Sequence, residues 1–104
     1  MSEVEELINE KERLNKLIYL RDQVLKLEEY KDFKEIILEN FCEKDCANYV
    51  RTSTNTCISE KARENALEMA KASGHLLNYL EFIITQGNSA ERQLLSLEIE
   101  YEGD

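Results

Sequence analysis

The residues of this chain best suited to chemistry are three cysteines and one histidine: Cys42, Cys46, Cys57 and His75. Together they have the donor types of a tetrahedral zinc shell, and Cys42 and Cys46, four apart, share one helical face. Their spacing, C-x3-C-x10-C-x17-H, follows no compact zinc motif, and a free cysteine is also a normal small buried residue. The cysteines are therefore expected to be packing residues with free thiols, with no metal and no other cofactor. A cysteine and a histidine are also the minimum of a nucleophilic couple. No orienting group or oxyanion hole can be placed, and His75, after Gly74 and ahead of Leu76 and Leu77, reads as a packing or surface residue. Neighbouring acids such as Glu28 and Glu29 point about 100° apart on a helix and do not converge on one atom. The glycines stand alone at 74, 87 and 103, so no loop cradles a phosphate. No catalytic residue is assigned, and the chain is expected to be non-enzymatic.

Charge narrows the partners. Thirteen Lys and Arg against twenty-two Asp and Glu give a net charge of -9, which repels phosphate backbones and anionic membranes. Neither nucleic acid nor membrane is an expected partner. No run of 18 apolar residues is present, and Met1-Ser2-Glu3-Val4-Glu5-Glu6 lacks the basic and apolar regions of a signal peptide. A reducing cytosol is the expected compartment, which agrees with an odd number of cysteines. The last thirty residues hold Glu81, Glu91, Glu98, Glu100, Glu102 and Asp104 against Arg92 alone.

The 104 residues, with no proline, suit a single helical domain, 1–104. From Val4 to Leu27 the apolar residues recur at helical spacing, and Ser2 with Glu5 forms a capping box. The coiled-coil register of this stretch puts Leu7, Leu14, Arg21 and Glu28 at one core position and Glu10, Leu17 and Val24 at the other. Three charged seam positions suit a hairpin or bundle helix better than a two-stranded zipper. Pairs such as Glu12–Lys16 and Asp22–Lys26 have the spacing of surface salt bridges. Asp32 with Glu35 signals a second, shorter helix carrying Phe33, Ile36, Ile37 and Phe41, and residues 51–56 form the clearest loop. Ser59 caps a second long helix, along which Ala66, Ala70 and Gly74 form a small-residue row suited to close packing. Gly87-Asn88 offers a stop, with Asn88 and Glu91 as a cap-like pair for a fourth helix covering Ala90, Leu94, Leu95 and Leu97, unless the helix runs straight through. After Leu95, Leu97, Ile99 and Tyr101 alternate with Glu98, Glu100 and Glu102 at the period of a strand, but with no second strand to bond, a helix or an extended arm is expected.

The expected fold is all-α: a long antiparallel hairpin of residues 3–28 and 59–86, a shorter helix 32–50 packed across it, and an end segment 88–102, helix or arm. Each long helix, about 40 Å at 1.5 Å per residue, carries more apolar stripe than the rest of so small a chain covers. Self-association into a homo-oligomer is the natural way to bury the excess. Tyr79 and Tyr101 among Glu98, Glu100 and Glu102 combine aromatic anchors with steering charge and form the expected partner-binding set.

Two stretches, Asp32-Phe33-Lys34-Glu35-Ile36-Ile37 and Leu76-x-x-Tyr79-Leu80-x-x-Ile83 followed by Gly87-x-x-Ala90-Glu91, resemble those of small helical proteins of tailed bacteriophages without assigned function. The resemblance implies a phage product made in the bacterial host cytoplasm. It would act through protein–protein contact with another phage or host protein, as a minor virion component or an assembly factor. The alternative is an acidic inhibitor of a host nuclease, polymerase or defence protein, mimicking nucleic-acid charge. The resemblance carries over no catalytic residue.

Overall fold

A computed structural model describes the backbone of residues 2–102 and the side chains of residues 2–100; the expectations for Gly103 and Asp104 lie outside it. The fold is all-α. The elements are α1 (Glu3–Glu29), α2 (Lys31–Phe33), a π-helical stretch (Lys34–Asp45), α3 (Cys46–Ser53) and α4 (Glu60–Glu102). They divide into two compact units, Met1–Lys26 with Glu81–Asp104, and Leu27–Leu80.

The first unit is an antiparallel helical hairpin. Ser2 Oγ accepts from the Glu5 N–H at 3.2 Å and opens α1 as the capping box predicts. Along α1 the residues turned away from solvent include Leu7, Glu10, Leu14, Leu17, Arg21 and Val24, the seam of the predicted register, with Leu14 fully buried and with Lys11 and Ile18 half-buried beside the seam. The facing stripe of α4 is Ile83, Gly87, Ala90, Leu94 and Leu97, at the same alternation of three and four. Arg21 lies against Gly87, while Glu10 shares a groove with Gln93 and Leu97, which sets the antiparallel register.

Of the two courses open at Gly87-Asn88, a stop or a helix that runs straight through, the second is the one taken. Gly87-Asn88 does not stop the helix, because Gly87 keeps a negative φ and serves the packing instead. A β-carbon there would overlap Arg21 Cβ and come within 2.8 Å of Cγ and Cδ. The helix then runs on to Glu102, so of the helix and the extended arm expected for the end segment it is the helix that forms. As a result α1 takes residues 81–102 as its hairpin partner, not 59–86. The ion pairs also differ from those expected. Among the described residues Arg13 pairs with Glu10 and Lys71 with Glu68, both at i,i+3 spacing, and neither Glu12–Lys16 nor Asp22–Lys26 forms.

In the second unit the chain breaks at Tyr30, whose extended backbone (φ −67°, ψ 120°) is the N-cap of α2. Asp32 falls inside the helix and caps nothing. The following stretch is wound with i→i+5 bonds, as where the Cys46 N–H reaches the Phe41 carbonyl. The residue spacing accounts for this winding. Phe33, Ile37, Cys42 and Cys46 are all at least half-buried at steps of four, five and four. In an α-helix of 3.6 residues per turn, Cys46 would sit about 140° around from Phe33. The wider turn, roughly 4.4 residues, keeps all four on one side. That side meets α4, where the Cys46 thiol approaches the Ala70 carbonyl at 4.0 Å. Ser59 Oγ accepts from the Ala62 N–H at 3.1 Å and starts α4 as expected.

The small residues that α4 buries in this unit are Ala66 and Ser73, and the Ser73 hydroxyl donates to the Ala70 carbonyl at 2.8 Å. Gly74 is not part of the contact, since a β-carbon there would meet nothing within 4 Å. The two helical glycines should therefore respond oppositely to alanine in urea unfolding. Gly74→Ala, gaining helix propensity in open space, should stabilise by about 0.5–1 kcal/mol. Gly87→Ala, overpacking the hairpin against Arg21, should destabilise by about 1–3 kcal/mol.

Candidate functional site

The hairpin unit has two faces, and Arg21 decides which residues share each. Its buried guanidinium donates through Nη1 to Asn88 Oδ1 at 3.0 Å and Glu91 Oε2 at 2.7 Å, and through Nε and Nη2 to Asp22 Oδ1 at 3.1 and 3.0 Å. The hydrogen bond to Glu91, then that to Asp22, holds the Arg21 pKa above its ordinary value. Asp22 on α1 and Asn88 with Glu91 on α4 thus flank one side of the hairpin. Following helical steps of three and four from these residues, Ile18, Asn15, Lys11, Ile8 and Val4 continue the α1 flank, and Leu95, Glu98 and Ile99 continue the α4 flank. The face runs from a polar cluster at Arg21 to four exposed aliphatic side chains, Val4, Ile8, Leu95 and Ile99. On the other side lies a polar groove of about 340 Å³ lined by Glu10, Ser89, Arg92, Gln93, Ser96 and Leu97. There the hydrogen bond from Arg13 holds the Glu10 carboxyl below its usual range.

The expected partner-binding residues lie along α4. Tyr79 is exposed on α4 in the second unit. Glu98 is half-buried and Glu100 exposed, about 200° apart around the helix. The side chains of Tyr101 and Glu102 lie outside the described residues. What the sequence reading missed is the aliphatic face. Its signal was the second α1 row at 4, 8, 11, 15, 18 and 22, hidden behind the stronger seam beside it.

The cysteines and histidine are dispersed. Cys42 is buried and Cys46 half-buried in the second unit, Cys57 is exposed in the loop, and His75 is exposed on α4. Among the described residues no three His, Cys, Asp or Glu side chains are placed to hold a metal ion. Burial, then the neighbouring Cys46 and Glu43, raises the Cys42 thiol above its usual range.

Compared with known proteins, the chain matches no family model, no curated protein and no solved structure.

Two measurements follow from these sites. Alkylation of the native protein by iodoacetamide, read by mass spectrometry, should label exposed Cys57 first and Cys42 last, because only an accessible thiolate reacts. The raised Cys42 pKa favours the neutral thiol in the folded state, so its contribution to stability is full below the unfolded thiol's pKa and is lost as pH rises through the folded value. Arg21→Met and Arg21→Lys should both lower the melting temperature. Neither replacement carries the planar fork that reaches Asn88, Glu91 and Asp22 together, so lysine should recover only part of the loss.

Proposed function

We infer that this chain works by contact with other proteins, as a non-enzymatic component or assembly factor of a tailed bacteriophage particle. One observation carries the contact reading: the hairpin unit leaves large apolar side chains exposed, Val4, Ile8, Leu95 and Ile99 on the flank described above and Tyr19, Leu20, Leu25 and Phe82 besides. Aliphatic surface rimmed by charge suits a protein partner, with the charges speeding encounter and the apolar centre slowing release. The phage assignment rests on the sequence resemblance. No helix among the described residues is long and apolar enough to cross a membrane.

A second reading has its own support. Residues 81–104 carry Glu81, Glu91, Glu98, Glu100, Glu102 and Asp104 against Arg92, and such a segment suits a basic site on a host nuclease, polymerase or defence protein.

Mass spectrometry of purified virions, together with affinity capture of the tagged chain from infected cells, separates the two readings. A virion component should be found in the particles. An assembly factor should be absent from them and capture phage proteins, whereas an inhibitor should be absent and capture a bacterial protein. Absence from particles with no phage protein captured would overturn the structural assignment.

A further inference from the structure

The π-helical stretch, Lys34–Asp45, carries two apolar stripes and uses one of them. Around the helix from Phe33, a turn of roughly 4.4 residues places Cys42 about 15° away, Ile36 about 115° away and Lys44 on the opposite side. Burial follows that winding, since Cys42 is 8% exposed, Ile36 is 59% exposed and Lys44 is exposed. At 3.6 residues per turn the order reverses. Lys44 would stand about 20° from Phe33 and Ile36 about 60°, while Cys42 would face the opposite way. The α-period stripe is Phe33, Ile36, Ile37 and Phe41, and the π-period row is Phe33, Ile37, Cys42 and Cys46. The two share Phe33 and Ile37 and diverge beyond them.

The ends of the stretch do not lock its winding. The segments on either side, α2 and α3, are α-helical, and the flanking residues Phe33 (φ −64°, ψ −45°) and Cys46 (φ −58°, ψ −45°) have α-helical backbones. Neither Phe33 nor Asp45, at the two cap positions, makes a side-chain cap bond. Rewinding therefore breaks no cap, and the exposed loop residues 54–57 can take up the rotation of α3. One residue makes the π winding the resting form. In the α winding Lys44 would turn toward the side that meets α4, and moving a charge out of water is costly.

We propose that this stretch is a two-state element, π-wound at rest with Cys42 and Cys46 shielded against α4, and α-wound in a minor form that turns both thiols to solvent. The α form exchanges Ile36 into the contact and Cys42 out of it. The two thiols, four residues apart, then lie on one exposed helical face. The winding thus gates the reactivity of a thiol pair that the resting structure uses as packing. This device lies wholly within the second unit and is independent of the protein-contact reading above.

The test is iodoacetamide labelling of the full chain at increasing urea, resolved by mass spectrometry, with circular dichroism to measure global unfolding. A buried thiol reacts only through an opening, and the urea dependence of its labelling reports how much surface that opening exposes. Cys42 should label at least about tenfold faster than global unfolding allows, with a weaker urea dependence. Ile36→Asp changes a site exposed at rest but puts a carboxylate into the α-wound contact, so it should slow Cys42 labelling about tenfold. Lys44→Leu removes the charge that opposes the α winding and should speed that labelling about tenfold. Cys46 should follow both changes, while exposed Cys57 should respond to neither. The direction is diagnostic, because a variant that merely weakened the helix would speed labelling. Cys42 labelling no faster than global unfolding overturns the proposal. Faster labelling that Ile36→Asp leaves unchanged or accelerates also overturns it, as the mark of ordinary fraying. If Ile36→Asp loses helicity, Lys44→Leu decides, and no acceleration there overturns the proposal.

Discussion

The hairpin depends on placing the stem of an arginine against a helix without a side chain at that level. Arg21 occupies a seam position where an apolar residue would ordinarily sit, and its Cβ, Cγ and Cδ fill the space that Gly87 leaves open. The hydrocarbon stem supplies packing, while the guanidinium turns to one flank and is held by Asn88, Glu91 and Asp22. A buried cation left unpaired would be strongly destabilising, so its bonds to Asn88 and Glu91 specify which part of α4 lies opposite α1. Leu14 and Ala90, both fully buried, then fall into line along the same stripes.

The second unit solves a different packing problem. Its half-buried row, Phe33, Ile37, Cys42 and Cys46, does not fit the α-helical repeat, and the backbone widens its turn to keep that row on one side. Against it α4 offers Ala66, Ala70 and Ser73, whose small side chains allow close approach. Ser73 resolves its own burial by bonding back to the preceding turn. In this setting Cys42 and Cys46 serve as compact apolar groups, and Cys42's raised pKa reflects that burial.

The charges of the chain are arranged as well as numerous. The net charge of -9 makes the molecule acidic as a whole, and within the hairpin unit residues 1–26 set five cations among six acids, whereas residues 81–104 set Arg92 alone against six. The mixed charge of residues 1–26 allows local pairing such as Arg13 with Glu10, while the segment 81–104 has Arg92 as its one cation.

Local pattern was enough for much of this. The caps at Ser2 and Ser59, the helical character and the α1 seam through Leu7, Glu10, Leu14, Leu17, Arg21 and Val24 follow from neighbours three and four residues apart, which is why the sequence shows them. Other features depended on contacts far apart in the chain. Gly87 looks like a helix stop until Arg21 is seen against it, and an isolated glycine carries no mark of whether its missing side chain frees the backbone or admits a neighbour. The alternation after Leu95 has the period of a strand, but with α1 alongside as its helical partner the segment is helix. The pairing of α1 with residues 81–102 was equally out of reach, because 59–86 offers a comparable apolar stripe. The part-buried bonds of Arg21 to Asn88 and Glu91, some seventy residues away, distinguish the two, and bonds at that separation exist only once the chain is folded.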